Sequence, residues 1–80
     1  MKTIKIRFVR NKNSNNYNIQ RKTIFGWKYI GYYIDMGYGG VYNYYSNHSK
    51  DDLLLNVLEN YYKQDKRFVE IIEHPEIKIY

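Results

Sequence analysis

The stretch Asp35 to Ser49, DMGYGGVYNYYSNHS, sets three glycines and four tyrosines within fifteen residues. Closely spaced glycines can cradle a phosphate on backbone N–H groups, and tyrosines on a strand can stack bases. A P-loop requires Gly-x-x-x-x-Gly-Lys-[Ser/Thr] ahead of a helix, and no lysine follows Gly37, Gly39 or Gly40. A dinucleotide fingerprint requires a third glycine three places after the second, where this chain has Tyr42. The glycines therefore read as a hairpin tip, with Tyr38 in the turn and Tyr42 and Tyr44 on the returning strand.

The other reactive side chains make no set. His48 lies in SNHS and His74 precedes Pro75, and two histidines with scattered acids have no metal-ligand spacing. Ser46, His48 and Ser49 are too close in sequence to define a nucleophile and its base. Asp51 and Asp52 are accounted for by helix capping. With no cysteine, disulfides and thiolate metal sites are excluded. The expectation is a non-enzymatic protein with neither cofactor nor metal.

Charge carries more information. Residues 1–34 hold Lys2, Lys5, Arg7, Arg10, Lys12, Arg21, Lys22 and Lys28 and no acid, or +8. Residues 35–80 hold five basic and eight acidic side chains, or −3, giving the net +5. A one-sided distribution of this kind steers anionic partners. Tyrosine is abundant too, eleven of eighty residues, beside Trp27 and three phenylalanines.

These side chains need elements to position them. TIKIRFVR (3–10) alternates, with Ile4, Ile6 and Phe8 on one face and Lys5 and Arg7 on the other, which is a half-buried strand. NKNSNN (11–16) is turn chemistry, and YNIQRKTI (17–24) returns as the second strand of a hairpin. FGWKYIGYYID (25–35) is apolar or aromatic on both faces and reads as a central third strand. VYNYYS (41–46) runs back after the glycine turn as a fourth.

Ser49 caps a helix over about 50–64, with Leu54, Val57, Leu58 and Tyr61 on its apolar stripe. On this stripe Tyr61 packs inward and Tyr62 faces solvent. RFVEIIEH (67–74) reads as a fifth strand, interrupted at Pro75, and EIKIY (76–80) alternates again. Eighty residues hold one domain. The fold class is α+β: an antiparallel sheet of four to five strands, β-β-β-β-α-β, with one helix on its apolar face. No apolar run reaches the ~18 residues of a membrane span and no leader is readable, so a soluble, intracellular protein is expected.

If the helix covers Ile4, Ile6 and Phe8, the opposite face shows Lys5, Arg7, Gln20 and Lys22. The third strand adds to it either Lys28, Ile30 and Tyr32 or Trp27, Tyr29 and Tyr33, because register is not readable from the sequence. Either way that face is open, basic at one edge and aromatic toward the middle. Lys5, Arg7, Lys22 and Lys28 can hold phosphates while Trp27, Tyr32 or Tyr38 stacks a base. Exposed Tyr32 and Tyr44 suit the core of a protein interface equally well.

The run MGYGGVYN partly resembles the aromatic strand of RNA-recognition motifs, matching at Gly37, Tyr38, Gly39 and Val41. Met36, Gly40 and Asn43 depart from it. That family also needs a helix between its first two strands, where NKNSNN leaves room only for a turn, so membership is excluded. YNIQRKTIFGWKYIGYY, followed by a glycine turn, a capped helix and FVEIIEHPEIKIY, resembles small accessory proteins encoded by phages and prophages. The resemblance covers most of the chain through short structural motifs. It implies an anti-defence or anti-CRISPR-like protein in the host cytoplasm, acting stoichiometrically on a host protein such as a nucleic-acid enzyme or defence effector.

Three functions follow as expectations. The first is inhibition of a host component through the basic, tyrosine-rich surface. The second is direct binding of single-stranded nucleic acid or a nucleotide second messenger. The third is a structural homo-oligomer, with a homodimer favoured because a small core and many tyrosines both promote association.

Overall fold

The structure, a computed structural model, describes residues 2–79. Among them, seven strands and one α-helix follow in the order β1 (Lys2–Asn11), β2 (Tyr17–Thr23), β3 (Gly26–Tyr29), β4 (Gly31–Asp35), β5 (Gly40–Tyr44), β6 (Ser46–Asn47), α1 (Lys50–Val57) and β7 (Val69–Ile79). The class is α+β. The main sheet has the order β3-β2-β1-β7, with β6 also paired to β2, and β4 and β5 form a separate two-stranded sheet.

Alternation in β1 drives Ile4, Ile6 and Phe8 into the core, where Ile19 of β2 and Leu53, Val57 and Leu58 from the helical segment meet them. The helix begins where expected. The Ser49 hydroxyl accepts from the Asp52 backbone N–H at 3.4 Å, and Asp51 and Asp52 stand against the positive end of the dipole.

Four features differ from the sequence reading. The sheet is mixed, because β7 pairs with β1 in parallel, Lys2↔Val69 through Asn11↔Ile79. The helix on the core face carries the chain back to the starting end of β1, so the last strand must run the same way as the first. Pro75 does not divide that strand. The register slips between Arg7↔His74 and Val9↔Ile77, so an extra residue on β7 falls beside Pro75. A bulge on an edge strand is where a residue without an N–H is tolerated.

The expected third strand is two strands. Between β2 and β3, Ile24 and Phe25 form a two-residue turn, closed by the Thr23 hydroxyl donating to the Gly26 carbonyl at 2.7 Å. Gly26 has φ 107°, a conformation that favours glycine. The chain then breaks at Ile30, which is buried. Its N–H donates to the Ile19 carbonyl at 3.0 Å and its carbonyl accepts from the Tyr45 N–H at 3.1 Å. Residues 31–44 thereby leave the main sheet, and β6 rejoins β2 at Tyr17↔Asn47 and Asn18↔Ser46.

The helix also ends differently. After Val57 the chain winds as a wider π turn over Leu58–Tyr62 and stops at Lys63, which is left-handed at φ 53°. The wider turn sends Tyr62, not Tyr61, onto the core, and Tyr61 is the exposed one at 38%. At the other end, Lys50 Nζ lies 2.6 Å from Glu76 Oε1 and ties the helix start to β7.

Candidate binding surfaces

Register now assigns the faces, since residues directly opposite in a ladder share one. Arg7 pairs with Gln20 and Gln20 with Tyr29, while Lys22 pairs with Trp27. The sheet face away from the helix therefore carries Arg7, Lys22, Trp27 and Tyr29, with Lys5 two residues before Arg7 on the same side. Lys28 is not among them. It pairs with Arg21, which pairs with Ile6, so Lys28 belongs to the helix-covered side.

This face is closed at its centre, against expectation. Arg7 Nε donates to Gln20 Oε1 at 2.7 Å, and the guanidinium carbon lies 4.5 Å from the Trp27 ring centroid. Trp27 also meets the His74 ring edge-on at 5.0 Å and takes Lys22 Nζ at 5.4 Å from its centroid. Under this cover Gln20 is only 6% exposed and Val9 is buried, apart from the main core. Trp27 is thus a lid with cations on it, and Arg7 is held in place by a side chain it must satisfy. Lys5 and Lys22 remain exposed.

The β4–β5 hairpin is the second surface. Pairing runs from Gly31↔Tyr44 to Asp35↔Gly40. The Asp35 carboxylate accepts from the Gly37 N–H at 2.9 Å to shape the turn. Tyr42 and Tyr44 meet edge-on at 5.4 Å, and Tyr44 reaches Tyr29 of the main sheet at 5.3 Å. On the other side Tyr32 lies 5.0 Å from the buried Tyr45 ring, whose hydroxyl pKa is raised by that burial and by Tyr32. A Cβ on Gly31 would collide with the Asn43 carbonyl and the Tyr42 ring, so glycine is what lets the tyrosine lie flat there. Beyond these anchors the hairpin is bare: Tyr33 is 64%, Tyr42 53% and Tyr38 at the tip 91% exposed.

A third surface escaped sequence reading altogether. Lys2, Lys5, Arg21 and Lys22 line a cleft of about 440 Å³ together with Tyr61 and Tyr62. Lys2 Nζ lies 5.1 Å from the Tyr62 centroid, and the Tyr62 hydroxyl pKa is raised, chiefly by burial and then by Tyr61, against a smaller opposing effect of Arg21. The first-half cations were legible as a group. The π turn that brings the two tyrosines to them had no local signal. The turn residues Ile24 and Phe25, fully displayed, were likewise missed.

Among the described residues, no group of three or more His, Cys, Asp or Glu could hold a metal ion, and no helix is long and apolar enough to cross a membrane. Comparison with protein-family models, curated proteins and solved structures finds no match for this chain.

Proposed function

We propose that this chain is a non-catalytic binding protein of phage type that inhibits a host or defence component by stoichiometric association in the host cytoplasm. The observation that supports this reading is the β4–β5 hairpin. It stands out from the main sheet and displays Tyr33, Tyr38 and Tyr42 with Met36 and Val41, all exposed among the described residues. A two-stranded hairpin is marginal by itself, and exposing this much aromatic surface favours self-association in a protein with no partner. Tyrosines supply large contact area with few rotors to freeze, which suits an interface core.

The hairpin carries one charge, Asp35, while exposed Lys5 and Lys22 stand on the adjoining sheet. The partner surface that fits has an apolar groove for the rings and carboxylates for the lysines. The phage assignment itself rests on the resemblance of the hairpin–helix pattern.

Affinity capture from host lysate tests this reading, comparing the wild type with Tyr38→Ser/Tyr42→Ser. The expected result is one partner retained at one-to-one stoichiometry, inhibited on binding, and lost with the double variant. Equal capture by both proteins, or a hairpin covered by a second copy of this chain, would sink the proposal.

A further inference from the structure

The ladder between β1 and β2 stops short. Its last rung is Ile6↔Arg21; from there Lys2 to Lys5 run against β7 alone, and Lys22 and Thr23 run against β3 alone. No rung joins Lys5 to Lys22. The strands part, and the cleft walled by Tyr61 and Tyr62 opens in the gap.

Lys2 and Arg21 line the cleft from the helix-covered side and Lys5 and Lys22 from the opposite side of the sheet, and no carboxylate lines it. Neither the Lys50–Glu76 nor the Arg67–Asp65 ion pair involves any of the four. Glu70 reaches the rim, where its carboxylate accepts from the Thr3 hydroxyl at 3.4 Å, but like charges lining one cleft still repel, and an anion seated between them relieves that repulsion. Arg21 adds a planar fork suited to two phosphate oxygens.

The walls indicate which anion. The Tyr61 and Tyr62 rings stand perpendicular at 4.9 Å, with Tyr62 packed on the core and Tyr61 free to offer a face. An exposed ring beside phosphate-binding cations is the arrangement that stacks a base. The volume, about 440 Å³, falls in the range of small-ligand sites. An acidic peptide would match the charge but leave the ring without a planar partner.

We propose that this cleft binds a nucleoside phosphate, with Lys2 and Arg21 on the phosphate, Lys5 and Lys22 adding positive charge from across the gap, and Tyr61 against the base. The inference goes beyond the hairpin docking reading; it uses none of the hairpin's residues and shares with that reading only Lys5 and Lys22. Free nucleotides and nucleotides within a single strand share this chemistry.

Amide chemical shifts of the full chain, followed on adding adenosine 5′-monophosphate, inorganic phosphate, adenosine or a short oligothymidylate, test the site. The monophosphate should shift residues 2–5, 21–22 and 61–62 saturably, and adenosine should not. Inorganic phosphate should need at least about tenfold more for the same shifts, since it lacks the stacked base. Lys5→Gln and Arg21→Gln should each weaken binding several-fold, Lys5→Gln serving as the exposed control should Arg21→Gln perturb the fold.

An oligothymidylate that binds more tightly, and loses about 20-fold in affinity between about 50 and 200 mM salt for three phosphate contacts, would assign the site to single strands. Equal or weaker oligothymidylate binding would assign it to free nucleotides. Shifts absent at millimolar monophosphate, phosphate binding as tightly as monophosphate, an acidic peptide taking the cleft instead, or binding unchanged in both variants would overturn the proposal.

Discussion

Arg7 and Trp27 are stacked, guanidinium carbon to ring centroid 4.5 Å, while Arg7 Nε satisfies the buried Gln20 carbonyl at 2.7 Å. The most central cation of the basic face is therefore a structural group. A lysine there keeps the charge but has neither the fork nor the plane. Arg7→Lys should cost about 1–2 kcal/mol, chiefly by leaving Gln20 unpaired under the ring. Urea midpoints would show it, and Lys22→Gln, on the same ring but exposed, should stay within about 0.5 kcal/mol of wild type.

The π turn makes a prediction that separates two adjacent tyrosines. Tyr62→Ala should destabilise by about 2 kcal/mol because its ring packs on the core, whereas Tyr61→Ala should change stability by less than about 0.5 kcal/mol. Thermal unfolding of the pair checks it. A larger loss for Tyr61→Ala would mean that the segment continues as an ordinary α-helix.

Lys50 is held charged above its ordinary 10.5, first by its hydrogen bond to Glu76. A folded-state pKa raised above the unfolded one contributes stability that is complete below the ordinary lysine value and fades as pH rises through the raised value. The side chain is 39% exposed, so solvent screening limits the pair to about 0.5 kcal/mol. Denaturant midpoints at neutral pH and above pH 11 should show a loss in the wild type that Lys50→Met lacks; equal losses would remove this ion pair from the account.

Gly31→Ala pushes a methyl group into the Asn43 carbonyl and the Tyr42 ring. The hairpin should come loose from the sheet while the main core persists. Hydrogen exchange would then quicken across 31–44 and stay slow in β1. Protection lost evenly through the chain would contradict the view that the hairpin is an appendage.

Much of this fold was readable because its signals are local. Ile4, Ile6 and Phe8 alternate with Lys5 and Arg7, and Ser49 sits before a helical stripe, so β1 and the helix start needed no tertiary information. What was not readable depends on distant neighbours. The parallel docking of β7 is decided by the path of the helix, and the break at Ile30 by hydrogen bonds to Ile19 and Tyr45. The face of Trp27 could be narrowed to two registers, but its reach to His74 could not be foreseen. Lys28 was grouped with the wrong cations for the same reason. Lys2, Arg21 and Tyr61 become a set only where β1 and β2 separate, and composition cannot say where that is.

The pairing of β1 with β7 also sets an order in time. β1, β2 and β3 lie close in sequence and can close as a meander early, when loop-closure entropy is small. One flank of β1, from Lys2 to Asn11, has to wait for a strand some sixty-seven residues away, as Lys2↔Val69 requires. During synthesis that flank is an unprotected edge until the chain beyond the helix has emerged. The charges of Lys2, Lys5, Arg7 and Arg10 along it are the kind that keep a waiting edge from pairing with the wrong molecule.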